Sequence, residues 1–117
     1  PAGIEHAYYR QYAFVRSENL RKGWDRDRIM NAIVAEGVPC FSGSCSEIYL
    51  ERAFANATHP VTGEALQPRD RLAVARVLGE SSLAFLVHPT LTAEDMADTC
   101  RAVSRVLFAA TVDTGRR

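Results

Sequence analysis

The segment Leu83-Ala84-Phe85-Leu86-Val87-His88-Pro89-Thr90-Leu91-Thr92-Ala93-Glu94-Asp95-Met96 constrains the fold of this chain more than any other. Leu83 to His88 is apolar on both alternating faces, the pattern of a strand that is central in its sheet or covered on both sides. Pro89 disfavours the α region for the residue before it and keeps His88 extended. Thr92 and Asp95 then form a capping-box-like pair, with Asp where Glu or Gln is usual. Glu94 and Asp95 also suit the positive end of a helix dipole. A strand, a corner and a capped helix start are therefore specified in one short stretch.

Around this segment the rest of the chain reads as alternating strands and helices. His6 to Arg16 is rich in Tyr, Phe and Val and predicts a strand, with Tyr8, Arg10, Tyr12 and Phe14 on one face and Tyr9, Ala13 and Val15 on the other. Asp25 is placed to cap a helix whose apolar stripe runs through Ile29, Ala32 and Ile33, widened by Met30 and Val34. Gly37 suits the left-handed conformation that ends a helix, Val38 can pack back on the last turn, and Pro39 blocks continuation. Val38 to Phe41 predicts a short strand. Ser42 to Thr58 predicts a structured loop with one helical turn near its end, and His59 to Gln67 a surface loop. Pro68 predicts the first turn of a second helix, with Leu72, Ala75 and Leu78 on one face and Gly79 at its end. In the last helix Met96, Cys100, Val103, Leu107 and Ala110 form the expected seam, with Arg101 and Arg105 facing away. The fold class that follows is α+β: a small, mainly antiparallel sheet of about three or four strands, with three helices packed mainly on one face.

Bulk properties exclude several classes. At 117 residues the expectation is a single domain spanning 1–117, able to bury a core without disulfide or metal support. Formal net charge is zero, which leaves no basic footprint for nucleic acid and no polybasic membrane patch. No apolar run reaches the length of a membrane helix, and no signal peptide is visible. Cys40, Cys45 and Cys100 are an odd set without close pairing, and His6, His59 and His88 lack zinc-ligand spacing. Reduced thiols in a cytoplasmic protein are the expectation. The chain starts at Pro1 without a methionine, as a processed or excised protein would.

Three places hold candidate chemistry. A histidine where a strand turns, His88, can meet a ligand at a sheet rim, or its imidazole can brace the corner; the residues themselves favour the corner. His6 with Tyr8 and Tyr9 can bind a phosphate, a sugar hydroxyl or a base edge, or can simply cover the sheet. The loop Ser42-Gly43-Ser44-Cys45-Ser46-Glu47 gathers hydroxyls, a thiol and a carboxylate, donors and acceptors of the kind that receive a phosphate or a sugar. It lacks the GK[ST] ending of a P-loop, and Cys45 has no recognisable protease context. Lys22, the sole lysine, sits in a polar turn-like segment and is a poor Schiff-base candidate.

Taken in order, His6-Ala7-Tyr8-Tyr9, the Asp25–Glu36 helix ending Glu36-Gly37-Val38-Pro39, the following loop, and Leu86-Val87-His88-Pro89-Thr90-Leu91-Thr92-Ala93-Glu94-Asp95 resemble the C-terminal small domain of the DegT/DnrJ/StrS family of sugar aminotransferases. The resemblance covers about His6 to Ala110. It implies a pyridoxal 5'-phosphate enzyme of fold type I that moves an amino group, usually from glutamate, to a nucleotide-linked ketosugar. In that family a lysine of a large domain holds the cofactor, the small domain closes one side of the cleft, and the enzymes are typically homodimers. The resemblance implies that this chain is such a small domain without its large one, inactive by itself, with no catalytic, cofactor or metal residue of its own. It implies substrate contacts through His6, Tyr8, Ser44, Glu47 and His88. Many relatives carry a tyrosine, Pro-x-His and a glutamine after the short strand, whereas this loop reads Ser44-Cys45-Ser46-Glu47-Ile48-Tyr49. That departure points to a distinct subgroup. A stand-alone α+β ligand-binding or regulatory module, and a structural dimerisation domain, are the alternative readings of the same residues.

Overall fold

The computed structural model describes residue 3 and residues 8–43 and 46–112. Three strands and three α-helices follow the order β1 (Arg10–Phe14), α1 (Arg26–Ala35), β2 (Cys40–Ser42), α2 (Ala73–Ser81), β3 (Ser82–Leu86) and α3 (Ala93–Ala110). The sheet order is β1-β3-β2, and both pairings are antiparallel. This is the expected α+β architecture, with β3 at the centre. Arg10 pairs with Leu86, Tyr12 with Ala84 and Phe14 with Ser82, while Phe41 pairs with Ala84 from the other side.

That register assigns the two faces. Ala13, Cys40, Leu83 and Phe85 point toward the helices, and Arg10, Tyr12, Phe14, Phe41, Ala84 and Leu86 point the other way, because side chains alternate along each strand. The core forms on the helix side from Ile29, Ile33, Cys40, Leu83, Val106 and Ala110, with Trp24, Val38, Phe85 and Val103 packed around it. Ile29 and Ile33 are fully buried. Burial raises the pKa of the Cys40 thiol, since desolvation disfavours the thiolate, and Cys40 acts as a small apolar core residue.

Helix α1 starts where Asp25 accepts the Arg28 amide at 2.7 Å. It ends in a Schellman motif. The Gly37 amide bonds the Val34 carbonyl, the Val38 amide bonds the Ile33 carbonyl, and Gly37 has a φ of 89°. Helix α3 starts with the full capping box: the Asp95 amide donates to Thr92 Oγ1, and the Thr92 amide donates to the Asp95 carboxylate at 2.8 Å. These hydrogen bonds from Thr92 hold the Asp95 pKa below its usual range.

Five expectations are corrected. Helix α2 begins at Ala73, not around Pro68, because the Leu72 amide is taken by the Tyr49 hydroxyl, so a tertiary contact caps the helix. It continues through Gly79 to Ser81. Strand β3 ends at Leu86, leaving His88 beyond it. In α3 the buried residues are Ala102, Val106 and Ala110, whereas Met96 and Cys100 are exposed. The seam is rotated and shortened because α1, with 10 residues, covers only part of the 18-residue α3. The loop after β2 holds two one-turn 3-10 segments, Ile48–Leu50 and Arg52–Phe54, rather than one turn.

The contrast between buried and backbone constraints is testable by urea denaturation. Ile33→Ala should cost about 2–5 kcal/mol, since it removes fully buried methyl groups and leaves a cavity. Gly37→Ala should cost about 1–2 kcal/mol: a Cβ there meets nothing within 4 Å, so the loss is purely that of the left-handed backbone.

Candidate functional site

The antiparallel register places the predicted residues at two ends of the sheet. Arg10 lies opposite Leu86, so Tyr8 and Tyr9, just before it, and Val87 and His88, just after Leu86, leave the sheet at one end. Ser42 lies opposite Leu83, and the Gly43 amide bonds the Ser82 carbonyl at 3.2 Å, so the loop carrying Glu47 leaves at the other end. Ser82 and Leu86 are separated by about 14 Å of strand. Tyr8 and His88 are thus neighbours at one end, and Glu47 belongs to the other. His6 and Ser44 lie outside the described residues.

At the first end, His88 is exposed and its Nδ1 lies 2.7 Å from Thr90 Oγ1 and accepts the Thr90 amide at 3.3 Å. The imidazole braces the His88–Leu91 turn, which a Leu91 amide to His88 carbonyl bond closes at 3.0 Å. Its Nε2 edge has no hydrogen bond among the described residues. Tyr8 is exposed beside β1. Arg10 stacks over the rings of Tyr9 and Phe41, with its guanidinium carbon 5.6 and 5.3 Å from their centroids. Phe41 is on the opposite edge strand, so the Arg10 side chain spans β3. Arg10 is opposite Leu86 and Phe41 is opposite Ala84, so the Arg10 side chain crosses β3 diagonally toward the small side chain of Ala84.

At the second end the loop is pinned by a polar network. Arg71 donates to both Glu47 oxygens at 2.6 Å, a bidentate pair. Tyr49 Oη donates to Glu47 Oε1 at 2.9 Å and accepts the Leu72 amide at 2.9 Å. Gln67 Nε2 donates to the Tyr49 carbonyl at 3.0 Å. Ser46 Oγ donates to the Ala75 carbonyl of α2 at 2.6 Å. This last contact explains Gly79: a Cβ there would come within 2.8 Å of Ser46 Oγ. Gly79 therefore serves close approach of loop to helix rather than helix termination.

The network sets the electrostatics. The Arg71 hydrogen bonds hold the Glu47 carboxyl below its usual range, outweighing desolvation, and the Tyr49 hydroxyl adds to the effect. Desolvation raises the Tyr49 phenol, so it stays a neutral donor. The Glu47 side chain is only 12 % exposed, and both its oxygens are engaged. It is committed to holding this segment against Arg71 and Tyr49. Arg71 and Tyr49 were not anticipated. Arg71 lies 24 residues from Glu47, and no periodic pattern reports a pair that a loop brings together. Arg10 was visible as a charge among strand aromatics.

Among the described residues no group of three His, Cys, Asp or Glu side chains is placed to hold a metal ion. Nor is any helix of those residues long and apolar enough to cross a membrane. An apolar cleft of about 270 Å3 lies between β1 and the helices, lined by residues such as Ala13, Val15, Ile33, Phe85 and Leu107. It presents no catalytic group.

No family model matches the chain, and no curated protein matches it. Among solved structures it is similar to the X-ray structure of the aminotransferase from Psychrobacter cryohalolentis, with 53% sequence identity and a TM-score of 0.78. The match covers 90% of this chain and 25% of that one. The chain is thus similar, in sequence and in fold, to a small α+β part of an aminotransferase and spans about a quarter of that enzyme's length.

The pinned loop makes a pH prediction with a definite sign. Glu47 has a depressed pKa in the folded state, so its contribution is fully present above the unfolded carboxylate value and is lost as pH falls through the folded one. Hydrogen exchange of the Leu72 amide should therefore lose protection on acidification to below the ordinary carboxylate range. Glu47→Gln should show that loss already at neutral pH, while the Arg71→Lys variant, lacking the bidentate fork, should be intermediate.

Proposed function

We propose that this chain is the small domain of a pyridoxal-phosphate-dependent aminotransferase that moves an amino group from glutamate to a nucleotide-linked ketosugar. The observation that carries the reading is 53% identity over 90% of the chain to a quarter of a known aminotransferase. The sugar specificity rests on the resemblance of the His6–Tyr9, Glu36–Pro39 and Leu86–Asp95 motifs to the DegT/DnrJ/StrS small domain.

The residues of this chain do not fit the cofactor. A Schiff base needs a lysine amine in a desolvated pocket, and Lys22 is exposed in the turn between Arg21 and Gly23. Pyridoxal phosphate, which supplies an electron sink when bound, belongs in this reading to the rest of the enzyme. The role of this chain is to bind and orient. This reading assigns substrate contacts to Tyr8 and His88, which lie at one end of the sheet, and to His6. At the other end Glu47 is held by Arg71 and Tyr49, and the reading assigns further contacts to Ser44. A homodimer with active sites at the subunit interface completes the reading.

The test is amino transfer by the full-length translation product that contains this chain, with glutamate as donor and a nucleotide-linked ketosugar as acceptor. Turnover is expected there, and none from the 117-residue chain by itself. Tyr8→Ala should raise KM for the ketosugar by about three- to tenfold and leave the half-reaction with glutamate unchanged. Absence of transfer to any nucleotide-linked ketosugar would sink the substrate assignment, and absence of any transamination would sink the whole reading.

A further inference from the structure

Arginines elsewhere in the fold spend their donors on the protein itself. Arg21, Arg26 and Arg28 donate to backbone carbonyls, and Arg71, Arg76 and Arg105 pair with carboxylates. Arg10 does neither. Its guanidinium is held by the rings of Tyr9 and Phe41 and has no hydrogen-bond acceptor or carboxylate partner among the described residues. Arg28 supplies the contrast. It lies 4.5 Å from the Trp24 ring centroid but also donates to the Gly23 carbonyl at 2.9 Å. A ring contact uses the charge of a guanidinium and consumes none of its N–H groups. Arg10 is therefore a half-buried cation, fixed in place, with its donor fork unspent.

A second donor stands at the same end of the sheet. The Thr90 amide donates to His88 Nδ1, so that nitrogen carries the lone pair and the ring proton sits on Nε2. Nε2 has no hydrogen bond among the described residues, so it is an exposed N–H donor. Arg10 pairs with Leu86, and His88 lies two residues beyond Leu86, about 7 Å of extended chain away. A guanidinium fork and an imidazole N–H thus leave the sheet together.

We propose that Arg10, with His88 Nε2 as the second donor, binds the diphosphate of the nucleotide-linked substrate. The nature of that substrate rests on the aminotransferase reading given above. A carboxylate has two oxygens and is satisfied by one guanidinium fork. A diphosphate carries more anionic oxygens than one fork serves, and it suits a fork supplemented by a neighbouring donor. The two rings hold the guanidinium before the anion arrives, so less side-chain freedom is lost on binding. Arg10 is thereby a specificity residue: it favours an acceptor linked to a nucleoside diphosphate over the same sugar without it.

Titration calorimetry of inorganic pyrophosphate into the full-length translation product tests this without reference to activity. Arg10→Gln should weaken binding about ten- to hundredfold, whereas Arg28→Gln, which removes the same charge elsewhere, should leave it unchanged. No binding to the wild type, wild-type affinity in Arg10→Gln, or an equal loss in Arg28→Gln each overturns the proposal. Should Arg10→Gln fail to match the wild-type thermal melt, Arg10→Lys decides. A point charge without the fork should weaken binding about three- to fivefold, and wild-type affinity overturns the proposal. In steady-state kinetics Arg10→Gln should raise KM for the nucleotide-linked ketosugar about ten- to hundredfold with kcat within about twofold. A rise in KM for glutamate instead would make the donor carboxylate the ligand and overturn the assignment. Pyrophosphate binding that depends on Arg10 in a protein without transaminase activity sinks the enzymatic reading only. Transamination with a wild-type ketosugar KM in Arg10→Gln sinks the Arg10 assignment only.

Discussion

Strand β3 is the element on which the other parts depend. It sits between β1 and β2 and satisfies its backbone on both edges through antiparallel ladders. Its five residues then define two opposite faces, one closed over by α1 and α3 and one open. Because side chains alternate, one register sets both the core contacts of Leu83 and Phe85 and the outward display around Ala84. Arg26 reinforces this strand at its start by donating to the Ser82 carbonyl at 3.1 Å, tying the first turn of α1 to the sheet.

The ends of the long helix show the same dependence on a few anchored points. The C-terminus of α3 is not closed by a glycine. Instead the Arg21 amide bonds the Ala110 carbonyl at 2.8 Å, Arg21 Nε bonds the Thr111 carbonyl at 2.7 Å, and the Val112 amide bonds the Asn19 carbonyl at 3.0 Å. The two Arg21 bonds satisfy carbonyls that a helix end otherwise leaves to solvent. They also hold the segment between β1 and α1 against the last helix, which closes the core around Leu20 and Trp24. At the other end of α1, Arg105 pairs with Glu36 across the two helices.

The two ends of the sheet are built by different physics, and that shapes what each can do. At the Tyr8–His88 end both residues are exposed, and His88 is held by short-range turn bonds to Thr90. The Glu47 end is a dense, charge-assisted network in which carboxylate, phenol and guanidinium satisfy one another. Such a network specifies a loop conformation, because each member left unpaired would lose more than the pair gains.

Much of the architecture was legible in the amino-acid order, because local signals there act over one or two turns of chain. Asp25, Gly37, Thr92 and Asp95 each dictate a helix end through backbone bonds to near neighbours, and the alternation in β1 assigns its two faces without knowledge of any partner. The limits of α2, the true seam of α3 and the commitment of Glu47 were decided only in three dimensions. Tyr49 caps α2 from 23 residues away, α1 selects which stripe of α3 it covers, and Arg71 reaches Glu47 across a loop. The order strand, corner and capped helix within Leu83 to Met96 was determined by sequence alone, although the strand itself runs Ser82–Leu86 and stops short of His88. The contact of the Thr90 hydroxyl and amide with one edge of the His88 imidazole, by contrast, was decided only by the fold of that corner.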